Sequence, residues 1–347
     1  MGHDQGRSGQ DLGAGGPGTV GQGTGCGRQA GLARAQRILR RCFPSAELDG
    51  LGKFAEGWDN TIWEAGGFLF RIPKRKTADA QARKEMALLS FLAAQGLPVP
   101  QPEYLHWGDE CFRLTVFAYR AIPGIPLCRL AVDQWPESIH RDLGAFLSRL
   151  HTLDTVEAAR AGLPVYTTGR WRARYRRLLT QVRKKVLPVV GAAAPALEAC
   201  FSDYLRDQHN FTFRPVIIHG DLAMEHVIVH GEPVTSIRGE RVTGIGDERV
   251  TSIRGERVAG IGDERVTGFV DFADACVGDP ALDFAGMSPG AAERVFEHYS
   301  CPTWPDPALL TRAKFYRTIA PCYALLYPAA AGPDEVASSI GLLKGLR

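Results

Sequence analysis

The chain has no two cysteines in a C-x-x-C arrangement, although it has eight in all, at 26, 42, 111, 128, 200, 276, 301 and 322. Thiols scattered in this way do not make a zinc or disulfide framework and suit reduced side chains in a cytosol. The chain also lacks any apolar run approaching the roughly 20 residues that span a bilayer. Its first residues contain no apolar stretch of the secretory-signal kind. A cytoplasmic protein with no membrane partner is expected. Net charge is small, +3 over 347 residues, so composition carries no nucleic-acid footprint. What is there is ordinary for a globular protein, 45% hydrophobic and 23% charged. The length allows one large or two medium domains, and a monomer is expected.

Residues 1–34 are glycine-rich and almost without large apolar side chains. A segment of that composition cannot offset its ordering entropy, so a disordered tail is predicted, with order beginning near Ala35. EGWDNTIWEAGGFLFRIPKR (56–75) reads as strand, glycine turn, strand. A helix follows, with Met86, Leu89 and Leu92 on one face and Gly96 as its stop. Leu114–Ile122 reads as a further strand. From Trp135 the pattern turns helical, with Leu143, Phe146, Leu147 and Leu150 on one stripe and a strongly basic helix over 170–187. The prediction is an α+β protein of two lobes: a small β-rich lobe over 35–120 and a larger helical lobe over 121–347. Strands are embedded in the second lobe at 216–271. Four octapeptides, PVTSIRGE, RVTGIGDE, RVTSIRGE and RVAGIGDE, occupy 233–264. They offer little apolar surface to bury, so they read as a tandem expansion of a loop rather than a solenoid.

The chemistry concentrates in VIIHGDLAMEHVIV (216–229) and GFVDFADACVGDPALDF (268–284). Titratable groups between β-branched runs cost several kcal/mol unless each finds a partner. A strand ending at His219-Gly220-Asp221 projects a carboxylate into a cleft, His226 begins the next strand, and a third strand delivers Asp271. An H-x-D segment, a ligand five residues on and a later D-F is the layout of phosphoryl-transfer loops. In that layout the first aspartate handles the acceptor hydroxyl, and the later residues hold Mg²⁺ against nucleotide phosphates. The other half lies upstream. The turn containing Gly57, Asp59 and Asn60 is placed to cover phosphates with backbone amides, Arg71 supplies a cation, and Glu85 on the following helix pairs with it. A zinc reading of His219, His226, His230 and Asp221 competes, as does an inactive nucleotide-binding module.

The motifs EGWDNTIW, FLFRIPKR, IPG, LSRLHTL, HGDLAMEHVIV and GFVDFADACVGDPALDF together resemble the aminoglycoside phosphotransferase family of antibiotic kinases, over roughly 45–347. The resemblance implies a protein-kinase-like fold, ATP or GTP as co-substrate, and Mg²⁺. It also implies Asp221 as catalytic base, His226 and Asp271 as metal ligands, and a nucleotide base held by the backbone of Ala118, Tyr119 and Arg120. His226 stands where kinases usually carry Asn, as in macrolide and some 2″-type aminoglycoside phosphotransferases, and Arg71 stands where they carry Lys. The acceptor implied is a small-molecule hydroxyl, on an aminoglycoside or alternatively a macrolide or other hydroxylated metabolite. A polycationic acceptor calls for carboxylates, and Asp274 and Asp279 are the candidates. Arg and Lys outnumber Asp and Glu between 150 and 210.

Overall fold

The computed structural model describes residues 25–56, 60–110, 112–230, 265–300 and 306–346. The chain opens with helix α1 (Gly25–Cys42), so order starts about ten residues before the predicted boundary at Ala35. The reason lies in the spacing of Leu32, Ala35, Ile38 and Leu39, which puts one apolar stripe on a helix. That stripe packs with Phe43, Leu51, Trp63 and Phe70 in a small core of its own.

Strands β1 (Gly52–Glu56), β2 (Asn60–Ala65) and β3 (Phe68–Pro73) form an antiparallel meander. The β2–β3 turn is Gly66-Gly67, with φ of 56° and 76°. A two-residue turn with both central residues in the left-handed region matches the twist of a hairpin and favours glycine at both positions. Helix α2 (Lys76–Ala94) buries Ala78, Ala82, Met86, Leu89 and Leu92. Two more strands follow, β4 (Pro102–His106) and β5 (Val116–Arg120). The sheet order is β1-β2-β3-β5-β4, so β5 is an inner strand. Sequence reading did not identify β4, whose polar positions alternate weakly around a leading proline.

The chain then passes through β6 (Ile125–Pro126) into α3 (Glu137–Thr152), α4 (Thr155–Arg160), α5 (Thr168–Lys185), α6 (Leu187–Val190) and α7 (Ala194–Arg206). The α3 stripe is fully buried, as its spacing predicts. Thr167 caps α5, which buries Trp171, Tyr175, Leu178, Leu179 and Val182 and turns its arginines outward. Among the described residues no single helix is long and apolar enough to cross a membrane.

Strands β7 (Val216–Ile218), β8 (Val227–Val229), β9 (Val266–Phe269) and β10 (Cys276–Gly278) make two small sheets, β10-β7 and β6-β8-β9. Helices α8 (Pro289–Glu297), α9 (Leu309–Ile319), α10 (Cys322–Leu326), α11 (Pro328–Ala331) and α12 (Pro333–Lys344) complete the chain. This is the two-lobed α+β arrangement expected from sequence. The octapeptides at 233–264 lie outside the described residues, but their flanks are joined. Val229 pairs with Val266, and the His230 amide donates to the Arg265 carbonyl at 2.9 Å.

Candidate active site

Two loops meet at the ends of β7, β8 and β9. The first runs from His219 to His226 and the second from Val270 to Ala275. They are held together at Gly220, whose φ is 87° and where a Cβ would lie 2.4 Å from the Asp274 carbonyl oxygen. Only glycine allows that approach. Behind them stands Asp283, fully buried. Its carboxylate accepts the amides of His219 (2.8 Å) and Gly220 (2.9 Å) and the His151 Nε2–H (3.2 Å), while His151 Nδ1 meets the Tyr299 hydroxyl at 2.9 Å. Sequence reading assigned Asp283 and His151 no role. The G-D-P-A-L-D spacing carries an available signal, because a carboxylate buried beside a short strand needs donors.

His219 supports the loops, as expected. Its Nε2–H donates to the Val270 carbonyl at 2.9 Å, and its ring lies on Phe272 with centroids 4.4 Å apart. Burial, reinforced by His226, pushes its pKa down to about 4, so the ring is neutral. Asp221 stands at the mouth of the cleft, reached by solvent yet ringed by protein. Desolvation there pushes its pKa up to about 6; Asp274 and Asp271 add to the rise, and His226 opposes it. A carboxylate poised near neutrality suits a general base.

Asp271 is the one non-glycine residue with positive φ among the described residues, at 65°. Aspartate tolerates the left-handed region better than most side chains, and such backbone gathers at functional sites. Burial alone would raise its pKa, but Arg71 and then His226 hold it below the ordinary value. His226 Nδ1–H donates to the Asp221 carbonyl at 2.8 Å, which leaves the lone pair of the neutral ring on Nε2. That atom faces Asp271 Oδ2 at 3.9 Å. Burial disfavours the imidazolium, but the two aspartates outweigh it and the His226 pKa is raised. An anionic oxygen and an aimed nitrogen lone pair that do not touch are suited to a cation between them. Mg²⁺ is commonly held by one or two carboxylates, with water and phosphate filling the rest, and the pair fits it on those terms. Among the described residues no three His, Cys, Asp or Glu converge as a metal cage, and His219 spends its Nε2–H on a carbonyl, so the zinc reading has no centre here.

The upper wall comes from the five-stranded sheet. Arg71, on β3, is buried and meets Glu85 Oε1 at 2.9 Å and Asp271 Oδ1 at 3.3 Å. The predicted Arg71–Glu85 pair is therefore present, and it reaches the second loop. Burial pushes the Glu85 carboxyl up to about 7, with Arg71 opposing and Asp271 contributing. Helix α2 also grips that loop directly. Gln81 Nε2 donates to the Ala273 carbonyl at 3.1 Å, and Lys84 Nζ donates to the carbonyls of Ala273 and, at 3.2 Å, Ala275. Asn60 is buried at the start of β2 with an unpartnered Oδ1. Gly57 and Asp59 lie outside the described residues.

Two predictions need correction. Ala118 and Tyr119 are not free to hold a nucleotide base by their backbone. They pair with Phe70 and Leu69 of β3 on one side and with Tyr104 and Pro102 of β4 on the other. Arg120, at the end of β5, is paired on the β3 side only, with Phe68, so the correction does not extend to its backbone; its side chain turns outward to Glu103 at 3.0 Å and over the Phe68 ring. The undetected strand β4 is the cause, since it converts β5 from an edge to an inner strand. The second correction is Asp279, which is completely buried. Its oxygens accept Arg312 Nε and Nη2, both at 2.8 Å, the Tyr316 hydroxyl at 2.6 Å and the Ala281 amide at 3.0 Å. It is a structural anchor and cannot reach an acceptor. Asp274 is exposed beside Gly220, where its charge bears on Asp221.

No curated protein matches the chain in sequence. Among solved structures it is similar to aminoglycoside 2'-phosphotransferase-IIIa in complex with GDP, at 19% identity and a TM-score of 0.69, with 90% of this chain and 97% of that one covered. The GDP and kanamycin complex of APH(2")-IIIa gives 20% identity and a TM-score of 0.71, with 90% and 97% covered. Macrolide 2'-phosphotransferase MphH from Brachybacterium faecium, without ligand, gives 22% and 0.64, with 92% and 99% covered. These identities establish the fold. The model of the phosphotransferase enzyme family, APH, matches residues 51–245 and 258–324, leaving out a stretch inside the octapeptides. With that match over most of its length, the chain belongs to the APH phosphotransferase family and is a phosphotransferase acting on hydroxyl groups.

Proposed function

We propose that the protein transfers the γ-phosphoryl group of ATP or GTP to a hydroxyl of a small antibiotic-like molecule, with Asp221 as general base. The observation that carries this reading is the joining of Arg71, Glu85 and Asp271 across the two lobes, with the loop of Asp221 held against that of Asp271 at Gly220. Asp221 accepts the acceptor's O–H proton as its oxygen bonds to the γ-phosphorus. The bond from that phosphorus to the bridging oxygen breaks, and the nucleoside diphosphate leaves. When bound, Mg²⁺ would neutralise phosphate charge, held by Asp271 with His226 beside it. Arg71 presents its fork to the phosphates, and Glu85 keeps that fork in place. The base meets the backbone after β5. There the Ala121 amide is already given to the Gly67 carbonyl, and the antiparallel alternation turns the Arg120 backbone to the β4 side, where strand pairing ends at Tyr119.

The structural neighbours, which are aminoglycoside and macrolide phosphotransferases, support an antibiotic acceptor. The loss of Asp279 to the core removes one of two carboxylates expected for a polycation, which weakens the aminoglycoside assignment relative to a less cationic acceptor. Incubation with γ-labelled ATP or GTP, Mg²⁺ and acceptors of each class tests the reading. Label on an acceptor hydroxyl is expected. Intact nucleotide with every acceptor, and no nucleotide binding, would refute it.

A further inference from the structure

We infer that Lys84 and Arg317 are positioning residues of the phosphoryl-transfer step: from opposite lobes, each pins the stretch of backbone that holds one side of Asp221. The inference rests on the kinase reading above and deepens it. Asp221 lies between two close backbone approaches. On one side Gly220 meets the Asp274 carbonyl, and on the other Gly286 meets the Leu222 carbonyl, each at a separation that leaves no room for a Cβ. The residues immediately before and after Asp221 therefore rest on the stretches 273–275 and 284–286. Neither stretch is part of a strand or an α-helix, so its position depends on contacts from other elements.

One half-buried cation fixes each stretch. Lys84, on α2, donates to the carbonyls of Ala273 and, at 3.2 Å, Ala275. Those two flank the Asp274 carbonyl that faces Gly220, and Gln81 adds a bond to the Ala273 carbonyl at 3.1 Å. Arg317, on α9, donates through Nε to the Ala285 carbonyl and through Nη2 to the Phe284 carbonyl, both at 3.2 Å. Its grip ends one residue before Gly286. Both cations are half-buried, and taking a charge out of water is costly unless it is partnered. Hydrogen bonds from a charged donor are roughly twice as strong as neutral ones, so these bonds hold the two stretches firmly. Asp283 completes the hold from behind through the amides of His219 and Gly220. The backbone around Asp221 is thus held from three directions, while its side chain is reached by solvent. A general base must lie within hydrogen-bond reach of the hydroxyl proton, and a misplacement of about 1 Å costs on the order of 10²-fold in rate.

The experiment uses the whole protein and compares wild type with Lys84→Met, Lys84→Arg, Arg317→Met, Arg317→Lys, Gly286→Ala and the control Arg83→Met. Arg83 is the neighbour of Lys84 on α2, but it bonds Asp79 and the Trp107 carbonyl, both within the small lobe. With ATP or GTP as donor, kcat and the acceptor KM are measured for transfer to kanamycin and to a macrolide, and kcat alone for transfer to water. Hydrogen exchange is followed, without nucleotide or metal, at the bonded amides of His219, Gly220 and Ala223. Lys84→Met, Arg317→Met and Gly286→Ala should each lower kcat by about 10- to 100-fold, leave the acceptor KM near wild type, and speed exchange at those amides. Lys84→Arg and Arg317→Lys keep a charged donor and should recover part of both effects, and Arg83→Met should match wild type. A wild-type kcat in the Met variants, a loss confined to KM, a loss that the charged replacements do not relieve, or unchanged exchange at the three amides would each overturn the inference. Where a Met variant does not fold, its charged replacement and Gly286→Ala carry the same comparison. A wild type that binds no nucleotide and transfers to no acceptor would instead overturn the kinase reading, and the exchange rates, which need no substrate, would still show whether the two side chains hold the loop.

Discussion

In the proposed reaction three side chains at the mouth of the cleft carry the chemistry, and each makes a prediction that can be checked alone. Asp221 has its pKa raised to about 6, and a general base works only when ionised. The sign is therefore fixed: kcat/KM should climb as pH rises through about 6 and level off above it, since that profile reports the free enzyme's base. A profile flat from pH 5 to 8 would speak against Asp221. In the proposed metal site Asp271 would be the hard anionic ligand, whereas His226 stands where Asn is expected of kinases. Asp271→Ala should abolish Mg²⁺-dependent nucleotide use, while His226→Asn should keep a substantial part of it. Titrating Mg²⁺ against both variants separates them, and an inactive His226→Asn beside a working Asp271→Ala would mean the metal site is misplaced. These residues were legible in the sequence because strand-flanked polar triplets are costly without a use. Asp283 and Asp279 were not distinguishable there. Both sit in the same G-D-P-A-L-D run, and only the fold sets one behind the catalytic loop and the other against Arg312.

At the scale of elements, the site depends on how closely two loops and one helix approach. Gly220 places the Asp221 loop against the Asp274 carbonyl at a distance that excludes a Cβ. Its φ of 87° is also one that alanine rarely adopts. Gly220→Ala should therefore cost on the order of 1–3 kcal/mol, the usual range for backbone strain, and lose activity beyond what the lower melting temperature explains. Calorimetry with parallel rate measurements checks this, and a fully active, equally stable variant would show that the loops have slack. The grip of α2 on the metal loop, through Gln81 and Lys84, was not readable from periodicity, which reports a buried face but not which polar side chains cross to another lobe. The same limit explains β4. Its short alternation around Pro102 is too weak a signal, and missing it left Ala118 and Tyr119 reading as an edge when they are paired on both sides.

Across the whole molecule, lobe order, the position of both loops and the helical character beyond Pro280 followed from hydrophobic period and turn residues. The start of order did not, because glycine content over 1–34 hid the Leu32–Leu39 stripe. The octapeptides interrupt a hairpin whose flanks are already closed by the Val229–Val266 pair and the His230–Arg265 hydrogen bond. Arg265 is further fixed by Asp142 at 2.8 and 3.0 Å. Removing 233–264 should leave a folded protein that binds nucleotide, because shortening a loop changes closure entropy by only about 0.6 kcal/mol per halving. Insolubility, or a melting temperature many degrees lower, would show the segment to be part of the core. The account as a whole stands on phosphoryl transfer with Asp221 taking the proton. The most direct test is the rate of γ-phosphoryl transfer to an accepted hydroxyl, for wild type and Asp221→Asn side by side under saturating Mg²⁺ and nucleotide. The account predicts a fall of about 10²–10⁴-fold with nucleotide binding retained; equal rates for the two proteins would contradict it.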